Sequence, residues 1–193
     1  MSAADDPRPP SVEVPDGWVE LETTTERVFS VSKVTVTATT VVYDDERLRE
    51  RVERETDAAF HRFVFASRLR LRPSAKPSKP LTKLVTSRAK AGFADRLETR
   101  GMADVDERET RRFRVDDTEA TLVGYDATYA AADTALAVDG WVAVWPGSDG
   151  EYFVAGGAYP TYVLDGEDRG DLEEVLEPNR FRNDLFSILR SVR

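Results

Sequence analysis

The chain has 193 residues, 40% of them hydrophobic and 33% charged, with 36 Asp and Glu against 27 Lys and Arg for a net charge of -9. That is enough apolar sequence for a domain with a true core. Cysteine is absent and His61 is the single histidine, which excludes disulfides, thiolate nucleophiles, iron–sulfur clusters, thiolate zinc sites and any multi-histidine metal site.

Residues 1–16 are rich in Pro and Asp and read as a disordered N-terminal tail, followed by one α+β domain over 17–193. Trp18 to Glu22 predicts a short strand and Thr23 to Glu26 a polar turn. Val28 to Ser32 reads as a further strand or the start of the next. Val34 to Tyr43 is β-branched and alternating, with Val34, Val36, Ala38 and Val42 on one face. Asp44 or Asp45 is placed to cap a long helix running to about Leu71, with Leu48, Val52, Ala59, Phe63 and Ala66 on one stripe. Pro73 to Pro80 is a linker. A second helix follows, with Leu81, Val85, Ala89 and Phe93 facing inward and Gly101 as its stop. The two helices make an αα-hairpin insertion over about 44–101.

From Val105 the period returns to two. Val105 to Val115 is polar and predicts an edge strand. Thr121 to Ala130, residues 134–146 and Glu151 to Tyr159 complete the strands, with a bulge expected at Asp139-Gly140 inside one long strand. Residues 171–177 and the stretch after Pro178 read as helices. Grouped strands and short turns predict an α+β fold: a mainly antiparallel, curved sheet flanked by helices, with a C-terminal helix.

Charge is unevenly distributed. Residues 58–94 hold nine Lys and Arg and no acid, so the remainder carries 18 bases against 36 acids. Lysine is scarce: Lys33, Lys76, Lys79, Lys83 and Lys90 are the only five. An acidic, lysine-poor surface stays soluble where salt screens charge over only about 3 Å, as near 1 M, and this points to a halophilic, haloarchaeal, cytoplasmic protein; the plainer alternative is Arg-rich codon bias in an ordinary acidic protein. The N-terminus lacks the basic start and apolar core of a signal peptide, and no apolar run is long enough to span a membrane.

Within the basic stretch, Arg68, Arg70, Arg72, Lys76 and Lys79 combine clustered cations with a stiff loop. They are the expected contact for an acidic protein or another anionic partner. The competing reading is structural, because a helix that starts acidic and ends basic matches its own dipole. Nucleic acid is disfavoured, since phosphate contacts weaken steeply with salt. His61 sits next to Arg62 without a local partner signature and reads as structural or surface. Asp126, Asp133, Asp139, Asp149 and Glu151 offer carboxylates for a hydrolase, with or without a metal ion, if two or more of them share a pocket. Trp141, Trp145, Tyr152 and Tyr159 read as an aromatic cluster under the terminal helix. No catalytic residue, metal site or cofactor is assigned.

Gly140-Trp141-Val142-Ala143-Val144-Trp145 and Val154-Ala155-Gly156-Gly157-Ala158-Tyr159-Pro160, with Phe65 to Leu69, resemble an uncharacterised haloarchaeal domain family over residues 17–192. The element order is similar to PsbP-like α/β/α sandwiches, which is an analogy of fold alone. Neither resemblance implies a reaction. The sequence therefore points to a non-enzymatic binding or accessory domain, with a carboxylate hydrolase and a self-associating structural protein as alternatives.

Overall fold

The computed structural model describes residues 6–31, 34–55, 60, 62–131, 133–148, 150–166 and 169–193. His61 and Asp149 lie outside the described residues, as does Ala59. Seven strands form one sheet: β1 (Trp18–Val31), β2 (Val34–Asp45), β3 (Phe63–Arg72), β4 (Met102–Val115), β5 (Thr118–Ala131), β6 (Thr134–Pro146) and β7 (Glu151–Asp165). The order across it is β1-β2-β3-β7-β6-β5-β4, and every neighbouring pair is antiparallel. Two meanders, β1 to β3 and β4 to β7, are thus joined edge to edge where β3 pairs with β7. The α+β expectation is met, and β4 lies at the sheet edge as its polarity predicts.

The helices are α1 (Glu46–Glu55), α2 (Lys79–Thr99), α3 (Arg169–Val175) and α4 (Pro178–Ser191). The expected αα-hairpin is not formed. Helix α1 ends by Glu55, and the predicted second half of that helix is strand β3. The reason lies in its side chains. From Ser67 to Arg72, Leu69 and Leu71 are buried while Arg68, Arg70 and Arg72 are half-buried, a period of two that suits a strand. Phe63 to Ala66 are buried throughout because a central strand has both faces covered. The predicted turn at Thr23 to Glu26 is also absent: β1 runs straight through it, with Thr23 opposite Val41 and Glu26 opposite Ala38.

Each face of the sheet packs a helix. On one, Phe93 of α2 stacks with Phe65 at 5.9 Å and meets Tyr125 edge-on at 5.3 Å. Gly140 makes room there, since a Cβ would come within 3.1 Å of both Leu97 and Phe93. The strand is continuous at this point, and the register shifts against β7 fall earlier, between Ala135 and Leu136 and between Ala137 and Val138. The bulge expected at Asp139-Gly140 is therefore misplaced.

On the other face, Phe186 of α4 meets Trp141 edge-on at 5.3 Å and Phe181 meets Tyr159. Trp145 stacks on Phe153, whereas Tyr152 turns to the α2 face and bonds Thr82. The four predicted aromatics are thus split between faces rather than gathered. Residues 6–16 form neither helix nor strand, yet they are tied down. Ser11 and Arg193 exchange two backbone hydrogen bonds, Ser191 Oγ bonds Glu13, and Thr39 Oγ1 donates to Pro7 O.

Candidate functional site

Helix α2 opens with its N-cap Ser78, whose hydroxyl accepts from Leu81 N at 3.4 Å, and Pro80 fits the first turn. Its inward stripe is Val85, Phe93 and Leu97. Its outward face carries Lys79, Lys83 and Lys90. The spacing of four and then seven residues stacks these three on one side, over about 16 Å at 1.5 Å per residue. They line an open trough with Pro77, Ser78, Thr82, Thr86, Ser87 and, from β5, Thr121. No acid lines it. Lys90 is held at one end by Glu107, and the hydrogen bond from Lys90 pulls the Glu107 carboxyl below its usual pKa. Among the described residues no carboxylate comes within ion-pair distance of Lys76, Lys79 or Lys83, and all three are exposed.

The placement runs against helix electrostatics. The first turn of α2 has no acid, and Lys79 and Lys83 add cations to the positive end of the helix dipole. Each such charge costs a few tenths to about 1 kcal/mol compared with the opposite sign. The dipole-matched explanation of the basic stretch fails as well. It required one helix from residue 45 to 71, and Arg68, Arg70 and Arg72 lie instead on a strand.

The predicted contact residues separate. Arg68 and Arg70 project from β3 toward the α4 face. Arg70 Nη2 is 2.8 Å from Glu151 Oε1, and Arg68 lies 3.9 Å from the same carboxylate and 5.1 Å from the Phe153 ring centroid. Glu151 thus offsets part of their charge. Arg72 ends β3 and is half-buried; Lys76 is exposed in the linker. Lys79 alone of the five lines the α2 trough. Lys83 and Lys90 were passed over, although two signals were legible: their helical spacing with Lys79, and the rarity of lysine. Four of the chain's five lysines fall between 76 and 90.

The carboxylates expected of a hydrolase are only partly brought together. Asp126 and Asp139 face each other across β5 and β6, and the Arg108 guanidinium binds both. Tyr159 donates to Asp139 at 3.3 Å and accepts from Trp141 Nε1 at 3.3 Å. Burial, with the Asp139 charge, pushes the Tyr159 hydroxyl up to about 12. Glu151 is engaged by Arg70, and Asp133 is exposed. Neither Asp126 nor Asp139 lines the α2 trough or the groove on the other flank of α2. Among the described residues no three of Asp, Glu or His converge.

Residues 7–193 match the family described as Domain of unknown function (DUF6517). The chain belongs to the DUF6517 family. A comparison with curated proteins finds no match. The family match takes in Pro7 and the packed segment before β1 as well as the whole sheet. Among the described residues no helix is long and apolar enough to cross a membrane.

Proposed function

We propose that this chain is a non-enzymatic binding domain that docks an acidic protein segment along the exposed face of α2. One observation carries the reading: Lys79 and Lys83, exposed and without carboxylate partners among the described residues, stand at the positive end of a helix in a chain of net charge -9. Lys76 in the preceding loop and Lys90 at the far end extend the same field. The hydroxyls of Thr86 and Ser87 add donors between the ammonium groups. An extended acidic peptide repeats same-side carboxylates at about 6–7 Å, close to the rise between Lys79 and Lys83. The trough contains no aromatic side chain on which bases could stack, which favours a peptide over a single-stranded nucleic acid.

Arg68, Arg70 and Arg72 are not part of this surface in the proposal. Residues 17–193 with the packed segment before them act as one α+β domain. The acidic, lysine-poor composition supports a halophilic cytosol as its setting, where screening by salt weakens each ammonium–carboxylate contact.

The test is fluorescence anisotropy of a labelled Asp/Glu-rich peptide. Binding is expected to weaken at least about tenfold in the Lys79→Ser/Lys83→Ser/Lys90→Ser variant, a loss of about 1.4 kcal/mol or more. Arg68→Ser/Arg70→Ser should bind like the parent. The reverse pattern would return the contact to β3 and overturn the proposal.

A further inference from the structure

A second concavity lies on the same side of the sheet but on the other flank of α2. It is a groove of about 400 Å³ between α2 and the faces of β1, β2, β3 and β7. That is within the range of about 300–1,000 Å³ typical of small-ligand sites. Its floor is apolar, with Ala38, Phe65, Leu69 and Val154. The polar atoms in that floor, Thr40 Oγ1 and Ser67 Oγ, bond each other at 2.7 Å and are buried. The pair is self-satisfied, so an apolar group can lie on it without orphaning a donor or acceptor.

The helix side of this groove has an unusual pattern. Arg88, Gly92 and Arg96 follow at i, i+4 and i+8, so they stack on one side of α2. A glycine inside a helix is unfavourable, and packing normally explains it. Here packing does not: a Cβ on Gly92 would find nothing within 4 Å. The residue leaves a gap between two guanidinium groups. Both groups sit over aromatic rings, Arg88 at 5.8 Å from the Phe29 centroid and Arg96 at 4.6 Å from that of Phe65. Among the described residues neither has a hydrogen-bonded or ion-paired carboxylate. A cation–π contact occupies no N–H donor, so the guanidinium groups keep donors for a ligand. Burial lowers the pKa of Arg96, against the opposing pull of Glu22 and Glu26, so its charge is partly stripped of water.

We infer that this groove is a binding site for an amphipathic carboxylate: the head group sits over Gly92 between Arg88 and Arg96, and the apolar chain lies on Ala38, Phe65, Leu69 and Val154. Guanidinium recognises a carboxylate through paired N–H donors. A doubly charged phosphate is disfavoured because Glu26 and Asp95 share the rim. The site is separate from the lysine trough and does not depend on it.

The test is calorimetric titration of the intact chain with decanoate, with 1-decanol and decyl phosphate as comparisons. Decanoate should bind saturably at one per chain. Arg96→Gln and Arg88→Gln should each weaken it about tenfold, the loss expected of one charge-assisted contact. Gly92→Leu should weaken it as much while leaving the melting temperature no lower, and Lys79→Ser/Lys83→Ser/Lys90→Ser should leave it unchanged. Absence of saturable decanoate binding overturns the site, as does binding indifferent to Gly92→Leu and Arg96→Gln. Decanol binding as tightly as decanoate would overturn the head-group assignment. Tighter binding of decyl phosphate would overturn the choice of carboxylate. If Gly92→Leu lowers the melting temperature, the Arg96→Gln result decides.

Discussion

Arg62 Nη1 lies 2.9 Å from Asp45 Oδ2, joining the start of β3 to the end of β2 beneath α4. The same guanidinium donates to Phe181 O at 2.8 Å, reaches Asp184 at 3.3 Å and lies 4.8 Å from the Trp18 ring centroid and 4.6 Å from that of Phe181. Asp45 also accepts from Leu48 N, so it caps α1. One buried cation therefore fastens β1, β2, β3 and α4. Burial lowers its pKa, while Asp45 and Asp184 pull the other way. Arg62→Ala strands Asp45 and should cost about 3–5 kcal/mol in urea unfolding. Arg62→Lys keeps the charge but loses the fork and should fall between the two. A double-mutant cycle with Asp45→Ala should give coupling well above the few tenths seen for independent sites.

Two glycines make opposite predictions. At Gly157 a Cβ would clash with Phe63 O and stand 3.0 Å from Leu185 Cδ1, so Gly157→Ala must part β3 from β7. The loss should be at least about 3 kcal/mol. Gly92→Ala meets open space and should stabilise α2 by up to about 1 kcal/mol. Equal effects at the two positions in urea melts would contradict the packing described for both faces.

Alkaline pH should unfold the chain through two tyrosines. Burial is the main cause that pushes Tyr125 and Tyr159 up to about 12; Glu107 adds to it at Tyr125 and Asp139 at Tyr159. An unfolded tyrosine ionises near pH 10. Between about pH 10 and 12 the unfolded state therefore binds fewer protons, and stability falls as pH rises, by on the order of 2–3 kcal/mol for each group. Below pH 10 the two states are equally protonated and there is no slope from this source. Phenolate absorbance should appear together with unfolding for Tyr159, and Tyr159→Phe should flatten the alkaline limb.

The α2 interaction should also weaken with salt in a way the groove does not. Surface ammonium groups are screened within about 10 Å at 0.1 M and about 3 Å at 1 M. Peptide affinity should decline steadily over that range. Decanoate binding, anchored by an apolar chain, should change little or strengthen.

Most strands were legible because their pattern alternates. Val34 to Tyr43 and Thr121 to Ala130 read correctly, and the polarity of Val105 to Val115 marked an edge. The one large error came from Phe63 to Ala66, a continuous apolar run with no period. Such a run fits a buried helix and a central strand equally well. The Arg-Leu alternation after Ser67 was the signal that could have decided it. That error bears on the proposed contact as well. On a helix Arg68 would continue the charge of Lys79; on β3 it faces the opposite side of the sheet and meets Glu151. The pairing of β3 with β7 joins residues as far apart in sequence as Phe63 and Ala158, and no local feature announces it. The groove at Gly92 was equally hidden, because its far wall comes from β2 and β3.

The central claim is that the exposed face of α2 receives an acidic segment. Its most direct measurement is a backbone amide NMR titration of the intact chain with an Asp/Glu-rich peptide at moderate salt. Saturable shifts should concentrate at residues 76–90 and at Thr121, with β3 and Glu151 unmoved. Shifts centred on Arg68, Arg70 and Glu151, or no saturable shifts on α2, would contradict it.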